Sequence, residues 1–90
     1  MPRIHFTSHL RRQIACPENE HFSGATVQEA LAVVFEQYPQ LRGYVLDDQG
    51  KVRQHVAIFV DNGPLQDRER LSDPVQEDSD IFVLQALSGG

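Results

Sequence analysis

The chain has 90 residues, 40% hydrophobic and 23% charged, with a formal net charge of −5. That is the composition of one soluble globular domain, and a domain of this size buries only about 60–65% of the surface its unfolded chain exposes, leaving little interior for an enclosed active site. The negative charge argues against a sequence-independent grip on nucleic acid or an anionic membrane, both of which need a basic surface.

From the N-terminus, Met1-Pro2-Arg3-Ile4-His5 lacks the apolar stretch of a signal peptide. Residues 3–8 alternate, with Ile4 and Phe6 on one side and His5 and Thr7 on the other, which predicts a half-buried strand. The segment 10–16 reads as either helix or strand until Pro17-Glu18-Asn19 breaks it. Glu20-His21-Phe22 suits a short second strand. Thr26-Val27-Gln28-Glu29 is a capping box, in which the Thr26 hydroxyl accepts from the Glu29 N–H and the Glu29 side chain reaches back to the Thr26 N–H. Val27, Ala30, Leu31, Val34, Phe35 and Tyr38 then recur on one helical stripe. Pro39 stops that helix at Tyr38. A helical turn fits within 40–46, and Asp47-Asp48-Gln49-Gly50 reads as a solvated tight turn rather than a metal loop, since no third carboxylate stands at loop spacing.

Val56, Ile58 and Val60 define a strong strand, and Asp61-Asn62-Gly63 turns it back as a hairpin. Pro64 places the return strand at a sheet edge. Residues 66–75 are polar and read as a surface connection. Ile81 to Leu84 is the last strand. If Ile81 and Val83 face the helix, Phe82 and Leu84 face away. The expected fold is α+β, one long amphipathic helix across one mixed sheet of four to five strands, with the two terminal strands central. The second sheet face is then uncovered, and Phe59, Phe82 and Leu84 are expected to form an exposed apolar patch, a candidate partner interface.

Few residues suggest chemistry. His5, His9, His21 and His55 share no metal-ligand spacing, so no metal site is expected. Cys16 is the single cysteine, which excludes an internal disulfide and suits a reducing cytosol. Arg11 and Arg12 lie near it, but no His or Asp is placed to make a nucleophilic pair. No Gly-rich loop joins a strand to a helix, and no apolar run approaches the roughly 18 residues of a membrane helix. No catalytic residue is predicted, and the expected location is the cytoplasm.

The chain ends Gln85-Ala86-Leu87-Ser88-Gly89-Gly90. A Gly-Gly end arises by chance about once in 200 chains, so it is weak evidence alone. Its chemistry is more telling. Glycine lacks a Cβ, so such a tail can thread a narrow channel in a partner, where its carboxylate can be activated by ATP.

The helix with its capping box, the run from Leu46 through Val56-Ala57-Ile58-Phe59-Val60 to Gly63, and the end Val83 to Gly90 resemble the bacterial ubiquitin-like sulfur carriers. These include the small subunit of molybdopterin synthase and the thiamine-pathway carrier. The resemblance implies a β-grasp domain over residues 1–84 and a flexible Gly-Gly tail over 85–90. It implies an E1-like adenylating enzyme that uses ATP and Mg²⁺ to convert the terminal carboxylate to an acyl-adenylate. A sulfur donor then yields a thiocarboxylate, whose sulfur passes to a downstream acceptor enzyme in cofactor or metabolite biosynthesis. By this likeness Gly90 bears the sulfur, Gly89 gives the slender approach, and Ser88 and Leu87 lie in the partner's channel. The carrier would be a protein substrate rather than an enzyme, with no bound cofactor of its own. Two other readings share the residues: a protein modifier conjugated through Gly90, and a non-catalytic β-grasp interaction subunit. The chain also departs from the pattern. Where many relatives have Asp-Gly-Asp before the last strand, it has Glu77-Asp78-Ser79, so a turn requiring positive φ at its centre would fall on Asp78. Gln85-Ala86 replaces a frequent Pro-Ala, which leaves the pathway open.

Overall fold

In the computed structural model, which describes residues 1–13 and 19–85, the two terminal hydrophobic segments lie side by side. Strand β1 (Arg3–Phe6) runs parallel to β5 (Asp80–Gln85), with Ile4 opposite Ile81 and Phe6 opposite Val83. Strand β3 (Val56–Val60) pairs antiparallel with the other side of β5, Ile58 opposite Val83. Short strands β2 (Asn19–His21) and β4 (Gly63–Pro64) close the edges, giving the order β2-β1-β5-β3-β4. β2 starts one residue earlier than the sequence suggests. Phe22 leaves the ladder for the core, while its N–H donates to the Pro2 carbonyl at 2.9 Å.

The period-2 pattern sends Ile4, Phe6, Val56, Ile58, Ile81 and Val83 to one face, and all six are buried. Against them packs α2 (Val27–Gln37), burying Val27, Ala30, Leu31 and Val34, with Phe35 and Tyr38 half-buried beside them. Two shorter helices join the expected long one. The segment that begins ambiguously is helical over α1 (Ser8–Gln13), and the proline that ends α2 occupies the first position of α3 (Pro39–Val45), where a missing N–H costs nothing. α3 buries Leu41 and Val45.

The N-terminus of α2 is capped more fully than the capping box alone provides. The Glu29 N–H donates to the Thr26 hydroxyl at 3.2 Å, but the Glu29 carboxylate accepts from Ala25 at 2.9 Å, one residue before the expected Thr26. Two further N–H groups of the first turn reach the 66–75 segment: Val27 donates to the Asp73 carbonyl at 3.0 Å and Gln28 to the Leu71 carbonyl at 2.9 Å. These are donors a helix otherwise leaves unmatched. The segment expected as a surface connection is therefore a cap, with Leu71 and Val75 buried. Two carboxylates hold its shape. Asp73 accepts from the N–H groups of Gln66 and Asp67, and Asp67 accepts from the Ser72 hydroxyl and the N–H groups of Glu69 and Arg70. Leu71 sits at φ 55°, a left-handed conformation that costs a side-chain-bearing residue on the order of 1–2 kcal/mol. Its buried side chain, its N–H to the Asp67 carbonyl and its carbonyl to Gln28 hold it there.

The hairpin after β3 has φ of 49° at Asp61 and 74° at Asn62, the two positive values a two-residue type I′ turn requires. The Asp61 carboxylate spans to the start of β5, accepting from the Ser79 hydroxyl at 2.8 Å and the Asp80 N–H at 2.9 Å. The turn before β5 forms without left-handed backbone at Asp78; the described non-glycine residues with positive φ are Asp61, Asn62 and Leu71. Ser79, nearly fully buried, organises that turn by accepting from the Gln76 N–H at 2.9 Å.

Two predictions follow from the cap and its loop. A Cβ added at Gly24 would lie 2.5 Å from the Ala30 backbone nitrogen, so Gly24→Ala is expected to destabilise the fold by about 1–3 kcal/mol in chemical denaturation. Asp67 is held below the ordinary carboxylate range, first by the Ser72 hydroxyl and then by backbone N–H groups, and Asp47 likewise by the N–H groups of Lys51 and Gln49. With a lowered pKa in the folded state, the unfolded chain binds more protons below about pH 4, so stability present at neutral pH is lost as pH falls through the folded values. Urea midpoints at about pH 7 and pH 3 should show this loss, and Asp67→Ala should shrink it.

Candidate functional site

The face of the sheet opposite α2 carries the alternate residues. β1 contributes Arg3 and His5, β5 contributes Asp80, Phe82 and Leu84, and β3 contributes Ala57 and Phe59. The register sets Phe82 between His5 on one side and Phe59 on the other, and Leu84 beside Ala57. Phe59, Phe82 and Leu84 are thus brought together as the sequence predicts. They are half-buried rather than fully exposed, because neighbouring side chains shade them.

His5 does much of that shading. Its imidazole stacks on the Phe82 ring with centroids 4.3 Å apart and planes 9° from parallel. Its Nε2 lies 2.9 Å from Oδ1 of Asp80, the residue two before Phe82 on the same strand and same face. By sequence spacing alone His5 is one of four histidines with no assigned role. The signal was present in the alternation that put it opposite Ile4 and Phe6, but the pairing with Asp80 depends on β1 lying parallel to β5 across 75 residues of sequence. At the outer edge, Arg3 and His21 interact at 3.0 Å, and His21 Nδ1 meets the Met1 carbonyl at 2.9 Å.

β5 ends at Gln85, opposite Val56. The tail residues Leu87, Ser88, Gly89 and Gly90 lie outside the described residues, as does Cys16. Among the described residues no group of three or more His, Cys, Asp or Glu side chains is placed to hold a metal, and no helix is long and apolar enough to cross a membrane. The Asp47 carboxylate, half of the acidic pair in its turn, accepts from the Gln49 and Lys51 N–H groups at 2.8 and 3.0 Å. On the helix side, a groove of about 380 Å³ lies between α2, α3 and the 69–71 turn. Its one acid, Glu69, is 3.4 Å from Lys51, and no nucleophile lines it. What the described residues assemble is an open sheet face with an apolar centre and a His–Asp rim.

Comparison with known proteins places this geometry. The model of the ThiS family matches residues 4–90. A chain of the crystal structure of the Amycolatopsis orientalis BexX/CysO complex superposes with TM-score 0.84 at 18% identity, covering 100% of both chains. Mycobacterium tuberculosis CysO, described as an antigen, superposes at 0.81 and 17% identity over 97% of this chain and 100% of its own. The small archaeal modifier protein 1 of Methanosarcina acetivorans superposes at 0.80 and 18% identity over 99% of this chain and 95% of its own. No functionally curated protein matches in sequence. At these identities the superpositions speak for the ubiquitin-like β-grasp fold.

The two faces of β5 can be told apart directly. Val83 is 1% exposed, so Val83→Asp is expected to unfold the domain by burying an unpaired charge. Phe82→Asp, one residue away on the open face, is expected to leave the circular dichroism spectrum intact and to lower stability by about 1 kcal/mol.

Proposed function

This chain belongs to the ThiS family, and from that premise we propose that it is a sulfur carrier whose working group is the Gly90 carboxyl. The observation that carries the proposal is the extent of the family match, which runs through the last residue and so takes in Leu87-Ser88-Gly89-Gly90. A carboxylate is a poor acylating group. In the proposed cycle its oxygen attacks the α-phosphorus of ATP within an E1-like enzyme that also uses Mg²⁺, and pyrophosphate leaves. Hydrosulfide released by a sulfur donor then attacks the acyl carbon, AMP leaves with the C–O bond electrons, the proton goes to solvent, and Gly90 carries a thiocarboxylate. A downstream acceptor enzyme takes the sulfur. The carrier itself supplies no catalytic group in this scheme: Gly89 and Gly90 supply slenderness, and Ser88 and Leu87 lie in the partner's channel.

The docking surface in this scheme is the open face of the sheet. Five residues follow Gln85, and five residues span at most about 17 Å. An enzyme that takes Gly90 into its active site must therefore come close to the end of β5, the strand that presents Phe82 and Leu84. Phe59, Phe82 and Leu84 are the proposed contact residues.

A second reading is favoured by the likeness to small archaeal modifier proteins: conjugation of Gly90 to a target lysine as an amide. Both readings use the same acyl-adenylate. They differ in the nucleophile, and branched Gly-Gly remnants traceable to this chain in cell lysate would reveal the second.

Incubation with ATP, Mg²⁺, a cognate E1-like adenylating enzyme and a sulfide source is expected to raise the intact mass by the difference between sulfur and oxygen, localised to Gly90. Removal of Gly89 and Gly90 should abolish the gain and the cellular function. Survival of function after that deletion would identify the chain as an interaction subunit instead.

A further inference from the structure

The contacts around Phe82 carry a consequence for how its face is recognised. His5 covers one side of the Phe82 ring, and the same imidazole binds Asp80. The ring, the imidazole and the carboxylate are thus one unit spanning β1 and β5. Its polar half is only partly shielded in the free chain, with side-chain exposures of 25% for His5 and 50% for Asp80. A partner that covers Phe82 covers this pair too.

We infer that His5 is a positioning residue of the docking face, holding Phe82 against β5 through Asp80, and that docking of the adenylating partner takes up a proton at its imidazole. The inference rests on the reading of Phe59, Phe82 and Leu84 as the contact surface for the enzyme that receives the tail. The physical argument concerns what is desolvated. With a neutral imidazole, docking strips water from the Asp80 carboxylate and leaves it with no countercharge of its own. With an imidazolium, docking buries a hydrogen-bonded pair of zero net charge, which costs less than burying one unpaired ion. The charged form also strengthens the bond to Asp80 and sets a cation over the Phe82 face. A ring fixed in place before contact loses less freedom on binding.

The other charged and titratable groups on this face do not take over the role. Among the described residues they include Arg3 on β1 and His21 on β2, whose side chains meet each other at the sheet edge, and His55, exposed just before β3 and four residues from Phe59 along the chain. Asn19, opposite His5 on β2, carries no charge. Glu20 is opposite Ile4 and belongs to the other face. The Asp61 carboxylate, close to Asp80 along the chain path, is engaged by the Ser79 hydroxyl and the Asp80 N–H.

The test is the affinity of the intact chain for the adenylating enzyme, without ATP, at about pH 5.5 and about pH 8, on either side of the ordinary imidazole range near 6.5. Affinity is expected to fall about tenfold with rising pH, as linkage requires when the complex holds a proton that the free chain does not. Calorimetry in two buffers of different ionisation enthalpy should show net proton uptake across the pH interval in which the affinity falls. His5→Gln keeps a donor for Asp80 without a titrating proton, and is expected to bind with little pH dependence and no uptake at this site. Asp80→Asn should flatten the profile as well. His21→Gln should leave it as in the parent chain. Affinity that is flat or rises with pH in the parent, or a profile that persists in His5→Gln, overturns the inference while leaving the docking face in place. Binding that is unaffected by Phe82→Asp overturns the docking face, and this inference with it.

Discussion

The Asp61 carboxylate fixes where the central strand begins, and the rest of the molecule inherits that choice. One oxygen accepts from the Asp80 N–H and the other from the Ser79 hydroxyl, so the hairpin that ends β3 is tied to the turn that starts β5. The Asp61 N–H returns the bond by donating to the Asp80 carbonyl at 2.9 Å. A shift of one residue here would exchange the two faces of β5. Ile81 and Val83 would leave the core, and Asp80 and Phe82 would enter it. Because β5 lies between β1 and β3, both of its neighbours would lose their partners together. The side-chain network at one end of the strand therefore decides both what packs against α2 and what is presented on the open face.

Much of this was legible in the sequence because period and turn chemistry agreed. Ile4 and Phe6, Val56 to Val60, and the stripe from Val27 to Tyr38 each repeat at the spacing of the element they form. Asp61-Asn62-Gly63 admits few turns other than the one observed. What could not be read was pairing at a distance. The 66–75 segment looks like a polar surface loop because its residues are polar, yet its carbonyls cap the first turn of α2 and its two apolar residues, Leu71 and Val75, are buried. The Glu29 carboxylate accepts from Ala25 rather than Thr26, next to the isolated bridge between Thr26 and Pro74. At the candidate site, the apolar trio was visible by alternation, whereas the role of His5 required knowing that two strands from opposite ends of the chain run parallel. The Gly-Gly end was legible as chemistry alone.

The division of labour between the two faces follows from size. A chain of 90 residues has one core, and here α2 and α3 use one face of the sheet to make it. The other face and the chain beyond it remain for the function proposed above. A carrier suits such economy, because the difficult bond-making can be done in the active site of its partner. What the carrier must provide is a stiff platform and a chemically plain end.

The shortness of β2 and β4 has its own consequence. A sheet edge offers unpaired N–H and C=O groups to any passing strand. Here one edge strand spans three residues and the other two, the second ending in Pro64, which has no N–H to give. Among the described residues neither edge is long enough to template a neighbouring chain, which leaves crowded copies little described backbone through which to stack into a growing sheet. Other proteins must then recognise the molecule by its side chains, and a lookalike with the same backbone but a different open face would be a stranger to them.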